Sequence, residues 1–240
     1  MVVLTRPAGT ARALVRQLRK LGAIPLLLPG LSLRSVDATP VLRAALREAL
    51  GDDLVLFSSP AAVRYAAMLA PLRTRATVLA VGQGTAAALR RHGITAPLVP
   101  PRQDSEGVLG LPALRGLQGR RIALIGAAGG RGLLQQELVA RGARLRELHV
   151  YRRMAPRLDH RHVDAVLGLP ADARVLLSST EALQHLRTLL PPPAWQVLCG
   201  ALAVVSSERL AAAAREAGFG CVVIAASAGV ADLLAAARDG

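Results

Sequence analysis

The chain repeats itself at a fixed displacement, and that narrows the folds open to it more than any other feature. Leu4, Gly9, Leu14, Leu18, Gly22, Ala23 and Leu28 recur 120 residues later as Leu124, Gly129, Leu134, Leu138, Gly142, Ala143 and Leu148. Val55, Leu56, Ser58, Ser59 and Ala62 recur at the same 120-residue displacement as Val175, Leu176, Ser178, Ser179 and Ala182. A third set, Ala86, Ala87, Ala88, Arg90 and Gly93, recurs 125 residues later as Ala211, Ala212, Ala213, Arg215 and Gly218. Alanine-rich βα units share glycines and leucines by chance. Two separate units agreeing on one displacement argue instead for a duplicated α/β half.

Each recurring unit has one layout. A short aliphatic run reads as a strand, a small polar loop follows, and an alanine- and arginine-rich stretch with helical spacing ends at glycine. Strands are expected over 1–5, 24–28, 54–57, 78–81, 121–125, 175–177, 203–205 and 221–224. Helices are expected over 8–21, after Ser58-Ser59 with Pro60 in the first turn, after Gly82-Gln83-Gly84-Thr85 and ending at Gly93, up to Ala140, and up to Gly218. Residues 126–132 read as a loop, and His160-Arg161-His162 as an exposed linker. Strands alternating with helices predict parallel sheets with right-handed crossovers. Hydrophobic residues make up 52% of the chain and aromatics only 2%. The core is therefore aliphatic, as parallel strands covered by helices require.

The formal net charge is +14, and Lys20 is the only lysine among 30 basic residues. Such a surface attracts anions. Nucleic acid would leave a dense basic stripe or aromatic stacking platforms. Here the arginines are scattered, often on helices (Arg12, Arg16, Arg19; Arg43, Arg47), where a solvated helix face explains them equally well. No specific nucleic-acid partner is expected. Cys199 and Cys221 form neither a CxxC pair nor a zinc spacing, which suits two plain thiols in a reducing compartment. Arg6 and Pro7 interrupt the start, and 24–29 is too short to span a bilayer. A cytoplasmic protein without membrane attachment is expected.

In open parallel sheets, ligands bind beyond the carboxyl ends of the strands, where helix N-termini present N–H groups. The loops at those places are small and rich in hydroxyls: Thr5-Arg6-Pro7, Ser58-Ser59, Gly82-Gln83-Gly84-Thr85, Gly129-Gly130-Arg131, Ser178-Ser179 and Ser206-Ser207. Each serine pair alone is explained by helix capping. Six such loops in one chain favour a shared site for a small polyanion. Gly82-Gln83-Gly84-Thr85-Ala86-Ala87 also matches a GxGxxA dinucleotide pattern, but its acidic partner would be Asp104, and Pro100-Pro101 spoil a strand end there. His160 and His162 lack an evident third ligand, no GxSxG elbow occurs, and no metal or covalent nucleophile is expected.

Taken in order, the loops resemble those of the uroporphyrinogen-III synthase family. The carriers are Leu4-Thr5-Arg6-Pro7, Phe57-Ser58-Ser59-Pro60-Ala61-Ala62-Val63 and Ala80-Val81-Gly82-Gln83-Gly84-Thr85-Ala86. Asp104-Ser105-Glu106-Gly107, Gly129-Gly130-Arg131 with Leu133-Leu134, Val150-Tyr151-Arg152 and Val204-Val205-Ser206-Ser207-Glu208-Arg209 follow. The resemblance covers essentially the whole chain. One departure is Gly126, where many bacterial members carry arginine; the anion-binding role of that loop would then fall to its backbone and Arg131.

The resemblance implies two similar flavodoxin-like lobes with parallel sheets, joined by a two-stranded linker, the ligand lying in the cleft between them. One lobe would comprise 1–34 and 153–240, the other 36–149, with linker strands at about 29–35 and 150–154. It also implies a cyclising lyase of tetrapyrrole (haem) biosynthesis that closes hydroxymethylbilane, an octacarboxylate, into uroporphyrinogen III without a cofactor. Thr5, Arg6, Ser58, Ser59, Gly82, Gln83, Thr85, Gly130, Arg131, Ser178, Ser179, Ser206 and Ser207 would bind the substrate. Tyr151 would be the proton donor, though a hinge aromatic packing between lobes explains it too. A monomer is expected, with transient contact to the upstream bilane-forming enzyme. The alternative is a two-lobed protein that binds or senses a small polyanion without turnover.

Overall fold

The computed structural model describes residues 1–129 and 132–239. These form ten strands and eleven α-helices. The first half holds β1 (Val2–Leu4), α1 (Arg12–Lys20), β2 (Pro25–Leu27), β3 (Ser32–Ser35), α2 (Pro40–Ala49) and β4 (Leu54–Phe57). It continues with α3 (Pro60–Leu69), β5 (Thr77–Ala80), α4 (Gln83–Arg91) and α5 (Ser105–Leu109). The second half holds β6 (Arg121–Ala127), α6 (Leu133–Ala140), β7 (Arg144–Met154), α7 (His160–Leu167), β8 (Arg174–Leu176) and α8 (Thr180–Leu189). It ends with α9 (Pro192–Gly200), β9 (Leu202–Val205), α10 (Glu208–Glu216), β10 (Val222–Ile224) and α11 (Val230–Asp239). The chain divides into two compact units: Met1–Leu33 together with the chain from Met154 onward, and Arg34–Arg153.

The first unit is built on a five-stranded sheet in the order β10-β9-β8-β1-β2. All its strand pairs are parallel. Successive side chains point to opposite faces. Val3, Val175, Leu177, Ala203 and Val205 therefore pack on one side with helices α7 to α10, and Val2, Leu4, Leu176 and Val204 on the other with α1 and α11. Burial on both faces is what makes these strands read as continuous aliphatic runs.

The second unit is built on a sheet in the order β3-β7-β6-β4-β5. β4 pairs in parallel with both β5 and β6, and β6 with β7. Leu98 adds a single parallel bridge beside Leu79, a sixth strand reduced to one residue. Leu54, Leu56, Leu79, Ile122 and Leu124 pack with α5 and α6, while Val55, Phe57, Ala123 and Ile125 are buried on the other face.

The displacements read from the sequence map one unit's elements onto the other's. A shift of 120 carries β1 onto β6, β2 onto β7, α2 onto α7, β4 onto β8 and α3 onto α8. A shift of 125 carries β5 onto β9, α4 onto α10, Leu98 into β10 and the start of α5 onto that of α11. The five-residue step falls between α8 and β9, where 190–201 replace 70–76 and carry the additional α9. Each unit joins the opening βαβ of one repeat to the remaining elements of the other. Both sheets then show the doubly wound order 2-1-3-4-5.

Several local expectations need correction. The first helix starts at Arg12, because Thr10 folds back onto the Pro7 carbonyl through both its N–H (3.0 Å) and its hydroxyl (2.7 Å). β6 runs to Ala127, so Gly126 lies in a strand. His160 and His162 open α7: Asp159 accepts from the His162 N–H at 3.3 Å, and the His162 ring reaches back to the Asp159 N–H at 3.2 Å. That capping box holds the helix start that sequence reading took for a linker.

The two thiols differ in setting. Cys199 is buried and offers its S–H to the Ala217 carbonyl, whereas Cys221 is exposed. Burial pushes the Cys199 thiol up to about 11, against a smaller opposing effect of Arg187. The thiolate is the reactive form. We expect N-ethylmaleimide at mildly alkaline pH to label Cys221 in the folded protein and Cys199 only after denaturation. Peptide mapping of the labelled protein checks this, and equal labelling of both in the native state would refute it.

Candidate functional site

A doubly wound sheet has one switch point, between the two central strands whose connections run in opposite directions. In the first unit this lies between β1 and β8, and hydrogen bonds close it. The Thr5 hydroxyl donates to the Leu176 carbonyl (3.0 Å) and accepts from the Ser178 N–H (2.9 Å). The Ser178 hydroxyl donates to the Thr5 carbonyl (3.1 Å). Thr5 is fully buried. Its side chain pins two strand ends together. Ser179 and Ser207 are helix caps, accepting from the Ala182 N–H (3.1 Å) and the Leu210 N–H (3.4 Å). Ser206 is partly exposed beside its cap. Arg6 is half-buried and donates to the Ala228 carbonyl at 3.4 Å. Burial lowers its pKa from the ordinary arginine value, the mark of a cation short of compensating charge.

The switch point of the second unit lies between β6 and β4, and there a pocket of about 250 Å³ is open. Ser58 and Ser59 come from the end of β4, Gly126 and Ala127 from the end of β6, and Glu147, His149, Tyr151 and Arg153 from β7. A Cβ on Gly126 would stand 2.4 Å from the Ser58 hydroxyl, so glycine leaves that hydroxyl its place. The 120-residue shift sets Gly126 opposite Arg6. Among the described residues the pocket takes its guanidinium from Arg153, whose Nη2 donates to the Ala128 carbonyl at 3.0 Å.

Tyr151 is the best-held group in the pocket. Its ring is buried and stacks on Tyr65, centroids 5.3 Å apart and planes within 15°. Arg64 lies 4.8 Å from the Tyr65 centroid on the same stack. The Tyr151 hydroxyl is 3.1 Å from Ser59 Oγ, and either oxygen can donate. Ser59 caps α3, accepting from the Ala62 N–H at 3.0 Å. With that N–H already donating to it, Ser59 can turn its own proton toward the phenol oxygen, which frees the phenol proton for a ligand.

The Gly82–Thr85 loop is spent differently. The Gln83 N–H already donates to Gln103 Oε1 at 2.8 Å, and Thr85 is buried. Gln103 thus occupies the helix N-terminus that a phosphate would take. Asp104 caps α5 through the Gly107 N–H (2.7 Å) and pairs with Arg102. Gly130 and Arg131 lie outside the described residues. Among the described residues no group of three side chains is placed to hold a metal ion, and no helix is long and apolar enough to cross a membrane.

A family model described as uroporphyrinogen-III synthase HemD matches residues 12–235. The chain belongs to the uroporphyrinogen-III synthase family. Uroporphyrinogen-III synthases of Salmonella typhimurium and Escherichia coli K12 are 33% and 32% identical to it, each match covering 95% of both chains. The fold agrees with a mutant uroporphyrinogen III synthase of Thermus thermophilus (TM-score 0.63, 24% identity, 100% of this chain and 98% of that one). It agrees equally with the uroporphyrinogen-III synthetase of Helicobacter pylori (TM-score 0.64, 14% identity, 99% and 98%).

Seen as a uroporphyrinogen-III synthase, the chain brings together in one pocket Ser58, Ser59 and Tyr151 of the expected residues. Arg6, Ser178, Ser179, Ser206 and Ser207 belong to the other unit. Glu147, His149 and Arg153 were missed by sequence reasoning. The only available signal was the alternation of polar residues 147, 149, 151 and 153 with Leu148 and Val150, obscured because Arg146 and Arg152 put charge at the two ends of the alternate positions.

Proposed function

We propose that the chain closes linear hydroxymethylbilane to uroporphyrinogen III with inversion of the last pyrrole ring and loss of water. The observation that carries this is Tyr151: a buried phenol, fixed by ring stacking and 3.1 Å from a serine hydroxyl, in an open switch-point pocket that also holds a guanidinium. The terminal hydroxyl of ring A leaves as water, taking a proton from the phenol and leaving an electrophilic azafulvenium ion that keeps the pyrrole N–H. Ring D attacks through its substituted carbon to give a spiro intermediate, which fragments and recloses with ring D inverted. The proton lost as the ring aromatises returns to the phenolate. Uncatalysed closure joins the unsubstituted position and gives the symmetrical isomer, so the protein's main task is to hold the chain folded.

The eight carboxylates suit a chain of net charge +14, with Arg153 as a cationic contact in the pocket of Tyr151. Two free thiols suit a reducing cytoplasm, where we place the protein as a monomer that receives its substrate directly from the bilane-forming enzyme. The experiment is to supply fresh hydroxymethylbilane and separate the products by chromatography. Type III isomer formed faster than spontaneous closure is expected. Type I alone, at the spontaneous rate, would leave the non-catalytic polyanion binder as the correct reading.

A further inference from the structure

The switch-point pocket of the second unit holds more chemistry than one phenol. Among the described residues that line it, Glu147 is the only carboxylate and His149 the only imidazole. Glu147 Oε2 lies 3.6 Å from His149 Nε2 and accepts from Gln135 Nε2 at 3.2 Å, so a residue of α6 holds the carboxylate beside the ring. With Nε2 toward Glu147, Nδ1 is left to accept a proton. Gly126 pairs with His149, and Ala127 with Tyr151, across the register shift at the end of β6. His149 and Tyr151 thus both stand at the switch point, about 7 Å apart along β7.

Neither packing nor grip explains this pair. The fold does not need it: a shift of 120 sets Val15, Leu27, Pro29 and Leu31 opposite Gln135, Glu147, His149 and Tyr151. The side chains of His149 and Glu147 are 45% and 40% exposed and add little to a core. A carboxylate also repels the acids of a polyanionic ligand. Polar groups confined to one repeat, at its open switch point, serve chemistry rather than architecture.

We propose that His149, held by Glu147, is the base that removes the last proton as the macrocycle closes. This role rests on the synthase reading and supplies the path by which that proton regains the phenolate. Donor and acceptor are needed at different carbons: water leaves from the methylene of ring A, whereas the final bond joins ring D to the methylene of ring C. A π pair of ring D forms that bond at its free α-carbon, which then carries the new bond and its hydrogen in a cationic ring. The C–H bond breaks, its electron pair restores the aromatic ring, and the proton moves to His149 Nδ1. Glu147 stabilises the imidazolium that results. The imidazolium passes the proton to the Tyr151 phenolate, and no further reactant is consumed.

The test compares the full chain with its His149→Gln and Glu147→Gln variants, on hydroxymethylbilane carrying hydrogen or deuterium at the free α-carbon of ring D. His149→Gln should lower kcat at least about tenfold with KM nearly unchanged. Its isotope effect on kcat should exceed the parent's, because breaking the C–H bond has become slower. That effect is a ratio, so any loss of folded protein cancels from it. Glu147→Gln should show the same rise with a smaller loss of kcat, and no rise in KM, because one negative charge has left the pocket. Parental kcat in His149→Gln overturns the proposal, as does a lower kcat without a larger isotope effect. Either result leaves the synthase standing where the parent makes type III isomer. A parent that makes none defeats the synthase reading, and the base with it.

Discussion

Tyr151→Phe should lower turnover by roughly tenfold or more while the protein stays folded. The substitution keeps the ring on Tyr65 and removes only the hydroxyl 3.1 Å from Ser59 Oγ. The lost hydrogen bond costs about 1 kcal/mol of stability, which for a chain of this length lowers the melting temperature by about 2–4 °C. A general acid is needed only as the hydroxyl leaves, so the loss should fall on kcat and leave KM nearly unchanged. Ser59→Ala is the companion measurement. It removes the phenol's partner together with a helix cap worth about 1 kcal/mol, so it should destabilise more and slow turnover less. A Tyr151→Phe enzyme with parental kcat would show that the phenol only packs.

Much of the fold was legible in the sequence because local rules and the repeat agree. Leu54–Phe57 is bounded by Asp53 and Ser58, and Pro60 behind Ser59 fixes the start of α3; each signal points to one element. The displacement of 120 predicted which strands are equivalent without any knowledge of sheet order. What the sequence could not show was which hydroxyls are free. Thr5 and Ser58 both follow a central strand, yet the Thr5 side chain is consumed within its own unit while Ser58 faces a pocket. That difference rests on a contact 173 residues apart in the chain, Thr5 with Ser178, and no local pattern encodes it. Helix α7 was missed for another reason. Its apolar face is interrupted by arginine and histidine, and only the cap Asp159 announces it.

Gly30→Ala should be the most damaging single methyl in the first unit. Gly30 follows β2, its N–H donates to the Thr5 carbonyl at 3.0 Å, and its carbonyl lies 2.9 Å from His185 Nδ1. A Cβ there would meet the Ala182 Cβ at 2.5 Å, its carbonyl oxygen at 2.7 Å and its Cα at 2.8 Å. Two of those atoms are backbone in the first turn of α8, so no rotamer relieves the clash and the helix must shift. Overpacking of this kind costs up to about 3 kcal/mol, which predicts a melting temperature roughly 6–12 °C lower. Ser178 and Ser179 sit at the start of that helix, so the Thr5–Ser178 bonds that close the switch point should loosen with it. Gly200→Ala is the control. That glycine ends α9 with open space around it, and alanine there should be neutral or slightly stabilising. If Gly30→Ala unfolds as late as Gly200→Ala in a thermal melt, the close packing of the β2 exit against α8 does not constrain the unit.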